Sequence, residues 1–295
     1  MIIEQEASIQ EIVVEIERRP FGKGGPAVTR VGLGGEGVLR SFGRDSQAMA
    51  VIEQAAAEGI AYFDTAQAYA GSQEYYGSFW KGHAAERSAI FQTSKSASRD
   101  RRGAKADLAG SLLALSLERL DLWQMHDLRT RQDIDQIEGR DGALQAFLEA
   151  KETGLTRYVG VTGHHDPGIL LHAVQNWPVD AVLMPVNPAE AAIGGFMDEV
   201  MAAAVDRGLA IIAMKVLGGS NYISRRDGIT PELLLRFALS QEVSLAIVGC
   251  GSPAEVSTLS DVGRNFQPLA EEEERRLLEL FRPHAGRLAY YRGVI

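Results

Sequence analysis

The chain has 295 residues, of which 45% are hydrophobic, and its formal net charge is −9 at pH 7. This composition supplies a core for one barrel or two small domains, and the acidic balance argues against non-specific binding to nucleic acid or to an anionic membrane surface. The single cysteine, Cys250, excludes an internal disulfide and fits a reducing compartment. Because Met1 is not followed by a signal-like segment or a membrane-length apolar run, we expect a cytoplasmic protein.

The chain begins with a predicted β-hairpin. Apolar and acidic residues alternate over Ile12–Ile16, which predicts a strand with one buried face. A turn rich in Gly and Pro follows, and Ala27–Leu33 predicts the second strand. The next loop, Gly34–Gly37, has bare backbone, so Gly35 is a candidate for close approach to a ligand; the alternative is a flexible turn.

Strands and helices then alternate regularly. The predicted strands are Ile60–Phe63, Ala89–Thr93, Asp121–Met125, Arg157–Val161, Val179–Val186, Leu209–Met214 and Val243–Val248. The predicted helices are Asp45–Gly59, Tyr75–Ala85, Lys105–Leu120, Gly142–Thr153, Pro167–Gln175, Gly195–Arg207, Leu233–Ser240, Pro253–Val262 and Leu269–Phe281. We expect Thr130–Gly142 to be a solvated polar loop and Arg282–Ile295 to be an irregular tail.

Strands such as Ala210–Ala213 are apolar on both faces, which predicts a parallel sheet covered by helices on both sides. An open doubly wound sheet would share this pattern, but no Gly-x-Gly-x-x-Gly or P-loop motif is present. The eightfold repeat of strand and helix favours a (β/α)8 TIM barrel of the α/β class. We expect a single domain over residues 1–295, with an N-terminal β-hairpin and a C-terminal extra helix and tail.

Four polar residues stand at or just after the ends of consecutive predicted strands. Asp64, Lys95 and His126 each end a strand-like run, and Tyr69 lies in the loop that follows Asp64. Singly, such residues are more often a turn, a solvated strand end or a structural histidine. In a parallel barrel, however, these strand ends open on one face, so their grouping is easier to explain by catalysis.

Several motifs make the chain similar to the aldo-keto reductase family over nearly its whole length, from about Val28 to the last predicted helix. The matching pieces are Phe63–Ala66 with Tyr69 and Ser72–Glu74, Thr93–Lys95, Ser111–Leu113, Leu120–His126 and Arg157–Thr162. The resemblance implies a (β/α)8 barrel that reduces carbonyls with a nicotinamide cofactor. It also implies that the catalytic tetrad of Asp, Tyr, Lys and His is Asp64, Tyr69, Lys95 and His126.

The chemistry of carbonyl reduction fits these four residue types. The cofactor would supply the hydride, and Tyr69 would donate the proton. A free tyrosine has a pKa of about 10, and a cation at about 4 Å supplies roughly the 4 kcal/mol needed to lower it to neutrality. We therefore expect Lys95 to acidify Tyr69, Asp64 to hold Lys95, and His126 to orient the carbonyl oxygen.

The resemblance also implies a cofactor site, with departures from the family pattern. Thr162 and Gly163 stand where Ser-Asn is common, Leu183 replaces a Gln, and Met214 replaces a stacking Tyr. The candidate cofactor-binding residues are Gly35, Thr162, Gly163, Asn187, Met214, Lys215, Leu217, Gly218, Gly249, Gly251, Ser252 and Glu255.

The form of the cofactor is open between two possibilities. The predicted phosphate loop, Gly249–Glu255, contains no Lys or Arg, and the first cation after it is Arg264. Either Arg225 and Arg226 bind a 2′-phosphate, or the preference is for NAD. We expect NADP (NADPH) rather than NAD on family likelihood alone.

A metal site is the rival interpretation of His164, His165 and Asp166. The chain lacks a His-x-His pair on the first barrel strand, and Lys95 would oppose a cation, so we expect no metal. The three residues are otherwise a helix-entry turn with Asp166 as its cap, or His164 contacts substrate. Candidates for an aromatic pocket are Trp80, Tyr222, Tyr290 and Tyr291.

The sequence therefore predicts an NAD(P)H-dependent reductase that converts an aldehyde or ketone, a small-molecule carbonyl substrate, into an alcohol. Two alternatives stay open. One is a noncatalytic nicotinamide-binding regulatory subunit on the same barrel. The other is a lyase or isomerase that uses Lys95 as a Schiff-base amine.

Overall fold

The structure is a computed structural model that describes residues 14–293. The strands are β1 (Arg18–Pro20), β2 (Ala27–Thr29), β3 (Val31–Leu33), β4 (Tyr62–Phe63), β5 (Phe91–Ser96), β6 (Leu120–Met125), β7 (Thr156–Thr162), β8 (Ala181–Pro185), β9 (Ala210–Met214) and β10 (Leu245–Val248). From β3 to β10 each strand pairs in parallel with the next, and β10 pairs with β3 to close the barrel. The predicted (β/α)8 barrel is confirmed.

Helices cover the outside of this barrel. They are α1 (Asp45–Ala57), α2 (Ser72–Gly82), α3 (Arg101–Leu115), α4 (Arg131–Glu138), α5 (Ala143–Glu152), α6 (Pro167–Asn176), α7 (Pro188–Ile193), α8 (Met201–Asp206), α9 (Pro231–Leu239), α10 (Pro253–Arg264), α11 (Glu271–Phe281) and α12 (Ala285–Leu288). Several begin at side-chain caps that can be predicted from the sequence. Thr230, which precedes Pro231, is one of them, and its hydroxyl accepts from Leu233 N. Among residues 14–293, no helix combines the length and apolarity that crossing a bilayer requires.

The N-terminal hairpin is present, but its first strand is not where the sequence placed it. Part of the predicted strand Ile12–Ile16 lies outside the described residues, and its described part belongs to no strand. The strand that pairs with β2 is β1 instead. The predicted second strand divides at Arg30, because β2 belongs to the hairpin and β3 to the barrel. The turn between β1 and β2 places Phe21 beneath the barrel, 4.7 Å from Phe91 between ring centroids.

The segment 130–142, predicted as a polar loop, instead contains helix α4 over Arg131–Glu138. The hydroxyl of Thr130 accepts from Asp133 N while the Asp133 carboxylate accepts from Thr130 N, a reciprocal cap that fixes the first turn. Ile134 and Ile137 are fully buried on its inner face, so the charges that suggested a solvated loop lie on one side of an amphipathic helix.

Helix α3 is also displaced from its predicted range, Lys105–Leu120. It starts at Arg101, capped by the side chain of Asp100, and ends at Leu115 because Ser116 adopts the left-handed conformation with φ 55°. Leu120, predicted as the end of this helix, begins β6. The tail predicted as irregular contains α12 and a short 3-10 turn over Arg282–His284.

The core has two parts. The larger lies between the sheet and the helices; in it Trp123 stacks on Phe147 with ring centroids 3.6 Å apart. The smaller fills the barrel interior with inward-facing strand residues over Phe21. Since this floor is packed, the C-terminal ends of the strands form the open end of the barrel, where sites on this fold lie.

Candidate active site

A cavity of about 910 Å³ opens at the C-terminal end of the barrel strands. All four residues predicted as a tetrad line it: Asp64 after β4, Tyr69 in the following loop, Lys95 on β5 and His126 after β6. They reach the cavity because β4, β5 and β6 are adjacent and parallel, so their ends meet at one edge.

Lys95 and Asp64 form a fully buried ion pair. The Lys95 ammonium donates to the two carboxylate oxygens of Asp64 at 2.7 and 2.6 Å and to the carbonyl oxygen of Thr65 at 2.9 Å. The hydroxyl of Thr93 donates to the same carboxylate at 2.9 Å. Burial lowers the pKa of Lys95, and the charge of Asp64 opposes that shift. All three ammonium protons thus have an acceptor, which fixes the position of the cation.

The ring of Tyr69 is packed among charged and aromatic groups. Lys95 Nζ lies 4.8 Å from the ring centroid, and the guanidinium carbon of Arg40 lies 5.0 Å from it. The His126 ring meets it edge to face at a centroid distance of 5.6 Å. A Cβ on Gly35 would come within 2.8 Å of the Tyr69 ring, so the bare backbone at Gly35 serves the packing of this tyrosine.

The expected acidification of Tyr69 by Lys95 is not found in the protein alone. Burial raises the pKa of Tyr69 well above its ordinary value; Asp64 and Glu36 raise it further, and Arg40 lowers it. The charge of Lys95 is balanced by a carboxylate at hydrogen-bond distance, which leaves little net field at the phenol. Tyr69 is therefore protonated at neutral pH and is a weaker acid than free tyrosine.

His126 is neutral. Burial, with the positive charge of Lys95, lowers the pKa of His126 to about 3. Its backbone is fixed by a bond from His126 N to Ser96 O at 2.8 Å, and its carbonyl oxygen accepts from Arg99 at 2.8 Å. A neutral imidazole has one N–H, so it can donate one hydrogen bond towards the cavity without carrying a charge.

The walls of the cavity include strained and bare backbone. Asp127, Lys215 and Ser220 adopt φ values of 57°, 56° and 70°, although none is glycine, and all three line the cavity. Such conformations cost free energy and persist only where the surrounding structure enforces them, and they are concentrated at ligand sites. Gly218 and Gly219 also have positive φ and expose bare backbone to the cavity.

Most of the predicted cofactor-binding residues line this cavity. Those that do are Gly35, Thr162, Met214, Lys215, Leu217, Gly218, Gly249, Gly251 and Glu255. Gly163, Asn187 and Ser252 do not. Asn187 caps α7 and donates to Lys215 O and Tyr291 Oη, and Ser252 caps α10, so both act behind the cavity surface. Arg225 and Arg226, considered for a 2′-phosphate, do not line it either.

Two of the four aromatic candidates contribute to the cavity. Tyr290 and Tyr291 line it, whereas Trp80 donates to Gln92 at 3.0 Å and Tyr222 donates to Leu288 O at 3.0 Å within the core. The segment that carries the two wall tyrosines is fastened by Arg292, which pairs with buried Glu190 and donates to Gly194 O at 2.6 Å.

Sequence reasoning missed several charged residues of the cavity. Glu36, Arg40, Arg99, Asp127 and Arg129 all line it. The position of Asp127, directly after a strand-end histidine, was a usable indication. Arg40 ends a short 3-10 helix, Gly37–Arg40, and the other three sit on loops; the sequence does not specify the path of these segments.

The rival metal site gains no support. Across residues 14–293, no group of three or more His, Cys, Asp or Glu side chains is arranged to hold a metal ion. Asp166 caps α6 by accepting from Gly168 N at 2.8 Å, as a helix-entry turn requires. Burial raises the pKa of Cys250 to about 12, so this thiol is a protonated packing group.

Comparisons with known proteins agree with this geometry. A sequence profile described as the aldo/keto reductase family matches residues 30–228. L-galactose dehydrogenase of Arabidopsis thaliana is 30% identical over 165 residues, which are 51% of this chain and 50% of that protein. The chain thus aligns with about half the length of that curated relative.

Solved structures share the fold over most of the chain. An aldo-keto reductase from Bacillus halodurans in its holo form has a TM-score of 0.74 at 20% identity, covering 90% of this chain and 96% of that one. An aldo-keto reductase from Klebsiella pneumoniae in complex with NADPH has a TM-score of 0.73 at 19% identity, with 90% and 96% covered. With the profile match over most of its length, the chain belongs to the aldo/keto reductase family.

Proposed function

We propose that this protein is an NAD(P)H-dependent oxidoreductase that reduces an aldehyde or ketone to an alcohol, with Tyr69 as the proton donor. The observation that carries the proposal is the convergence of Asp64, Tyr69, Lys95 and His126 on one cavity at the open end of the barrel. We further propose that residues 1–295 act as one domain, and the single cysteine supports a cytoplasmic location.

The cavity fits a nicotinamide dinucleotide. Its volume suits a ligand of that size, the glycines at 218, 219, 249 and 251 let phosphates approach the backbone, and Met214 and Leu183 offer apolar contact to a ring. When bound, the reduced cofactor supplies the hydride that the carbonyl carbon needs. The Klebsiella pneumoniae relative was solved with NADPH, which supports NADPH as the first candidate and NADH as the second.

The side chains supply the proton and the orientation. Tyr69 is protonated at neutral pH and can donate its proton to the carbonyl oxygen. Negative charge then forms on the phenol. Arg40, whose guanidinium carbon lies 5.0 Å from the ring centroid, favours this product, whereas the charge of Lys95 is largely balanced by Asp64. Neutral His126 donates to the same oxygen and orients it.

The geometry favours this function over a Schiff-base lyase or isomerase. A Schiff base needs a free neutral amine, but the Lys95 ammonium has its three protons held by Asp64 and Thr65 in a fully buried position. A noncatalytic nicotinamide-binding regulator remains the second candidate, because it would use the same cavity without turnover.

Fluorescence titration with NADPH and NADH, followed by a panel of aldehydes and ketones, tests the proposal. Saturable binding of one cofactor and its oxidation in the presence of a carbonyl compound are expected. Binding without turnover on any member of the panel would favour the regulator. Trapping of a substrate adduct at Lys95 by borohydride would instead favour the lyase.

A further inference from the structure

Arg99 is a side chain in the cavity wall that joins three segments of the chain. Its guanidinium donates through Nη1 to the carbonyl oxygen of His126 at 2.8 Å and through Nη2 to that of Asp127 at 2.7 Å. Its Nε donates to the Asp133 carboxylate at 2.9 Å. Because the guanidinium is planar and its N–H groups have a fixed arrangement, this one group fixes the three acceptors relative to one another.

The backbone that Arg99 holds is strained. His126 follows β6 directly, and Asp127 then adopts the left-handed conformation with φ 57°. For a residue with a Cβ this conformation costs free energy, so it persists only where neighbouring groups enforce it. Thr162 binds the N–H groups of this turn, since its hydroxyl accepts from Asp127 N at 2.8 Å and its carbonyl oxygen accepts from Leu128 N at 2.9 Å. Arg99 binds the carbonyl groups of the same turn.

Arg99 is itself anchored, which lets it act as a rigid support. The Asp133 carboxylate that it contacts also accepts from the backbone N of Arg129 and of Thr130, both at 2.9 Å, at the start of α4. The carbonyl oxygen of Arg99 accepts from Ala143 N at 2.9 Å, at the start of α5. The residue therefore connects the first turns of two outer helices to the backbone that follows β6.

We propose that Arg99 is a positioning residue for the reduction: its hold on the carbonyl groups of His126 and Asp127 fixes the direction in which the His126 imidazole meets the substrate oxygen. This inference rests on the proposed reductase function. The rings of His126 and Tyr69 lie 5.6 Å apart between centroids, so a rotation of the backbone at His126 would separate the two donors. A lysine could reach one of the acceptors but could not span all three, so the shape of the guanidinium matters as well as its charge.

Steady-state kinetics at saturating cofactor test the inference, with the aldehyde or ketone that the wild type reduces fastest. In Arg99→Lys we expect kcat to fall by about 10- to 100-fold, because a misaligned donor costs this much, while KM changes by less than about threefold. Arg131→Met is the matched control, since Arg131 pairs with Asp135 on the exposed face of α4, and its kcat should equal that of the wild type. A wild-type kcat in Arg99→Lys would overturn the inference. A rise in KM at unchanged kcat would also overturn it, because Arg99 would then be a substrate-binding group.

A second measurement does not depend on turnover. In 15N-histidine-labelled protein, the His126 ring signals are identified by their absence from His126→Gln. They should move in Arg99→Met and in Arg99→Lys, while the signals of His83, which stacks on Phe79 at the C-terminal end of α2, stay in place. His126 signals at their wild-type positions in both variants would refute the inference. Movement of both sets of signals would assign Arg99 a role in the whole fold and would refute it as well.

The two measurements separate failure of the inference from failure of the proposed function. If the wild type reduces no carbonyl compound but the His126 signals move selectively in both variants, Arg99 positions His126 in a protein that is not a reductase. If the wild type is a reductase and the His126 signals do not move, the function stands and the inference fails.

Discussion

The lower and upper parts of the barrel interior, the floor and the mouth, are built on the same strands but differ in the side chains they bury. On β4, Tyr62 packs in the floor and Asp64, two residues later, belongs to the buried ion pair. On β5, Phe91 packs in the floor and Lys95 reaches the cavity. Since inward-facing positions alternate, each step of two residues moves up one layer.

The floor and the mouth differ in what their removal would change. The floor is a stack of aromatic and aliphatic side chains with no role in proton transfer, and Tyr62 stacks on Phe91 at 5.3 Å. The mouth buries a charge pair, strained backbone, and one oxygen of Asp127, Oδ1, that has no hydrogen-bond donor among residues 14–293; all of these cost stability. Packing in the floor therefore offsets the loss of folding free energy that the mouth causes. Mutations in the floor should lower mainly the free energy of unfolding, and mutations in the mouth should lower mainly turnover.

The largest expected effect is in the mouth. Tyr69→Phe removes the proposed proton donor but keeps the ring that packs on Gly35. We expect turnover to fall by about two to four orders of magnitude, while cofactor affinity in a fluorescence titration changes little. Near-normal turnover in this variant would exclude Tyr69 as the donor.

Breaking the buried ion pair should affect both properties. Asp64→Asn leaves the Lys95 cation buried beside a neutral amide, and we expect a loss of about 3–5 kcal/mol in the free energy of unfolding together with most of the turnover. Urea denaturation measures the first effect. In the double variant Asp64→Asn/Lys95→Met, the stability loss should be smaller than the sum of the two single losses; a simple sum would show that the pair is not coupled.

The floor should show the reverse pattern. Phe91→Ala removes a ring that contacts Phe21 and Tyr62, and we expect a loss of about 3–5 kcal/mol in the free energy of unfolding. Turnover per folded molecule should fall far less than in Tyr69→Phe. If Phe91→Ala lowered turnover as severely while remaining folded, the division between floor and mouth would be wrong.

The neutral state of His126 predicts a pH dependence of stability. The folded protein holds this pKa at about 3, whereas the unfolded chain binds the proton near 6.5, so below 6.5 the unfolded state gains a proton that the folded state lacks. Stability is thus full above about pH 6.5 and declines as the pH falls, by about 2 kcal/mol at pH 5 from this group. His126→Gln should flatten this part of the profile; an unchanged slope would assign it to other groups.

The smallest expected effect concerns Arg40. This exposed cation is the one found to lower the pKa of Tyr69, so Arg40→Met should reduce turnover by about twofold to tenfold, and the difference should narrow at high salt. Arg40→Lys keeps the charge and should recover most of the rate. Equal rates for Arg40→Met and the wild type at low salt would remove Arg40 from the tuning of the phenol.

The strands, and the meeting of the four candidate residues at one end of the barrel, were accessible from the sequence for a physical reason. Apolar runs define buried strands, and in a parallel barrel the residue after each run must lie at one face, so Asp64, Lys95 and His126 follow from chain order. Helix α4 was missed because its reciprocal cap was read as loop polarity. The first hairpin strand was misplaced because the alternation at Ile12–Ile16 resembles a strand more closely than Arg18–Pro20 does.

What the sequence could not supply is the balance of charges at each group. The pKa of Tyr69 depends on whether the charge of Lys95 acts on the phenol or is balanced by Asp64. Only the distances from Lys95 Nζ to these two groups decide this. The contact between His164 Nε2 and Asp127 Oδ1, at 3.4 Å, joins residues in the loops that follow β6 and β7. Neither the contact nor the unsatisfied oxygen has a signature in residue order.

The fastening of Arg292 to Glu190 has a consequence for synthesis on the ribosome. The last strand of the barrel sheet is β10, and Tyr290 and Tyr291 come after three further helices, α10, α11 and α12. One wall of the cavity is therefore translated only after every strand of the sheet, so a chain shortened to end at α11 would contain all the barrel strands but lack both wall tyrosines.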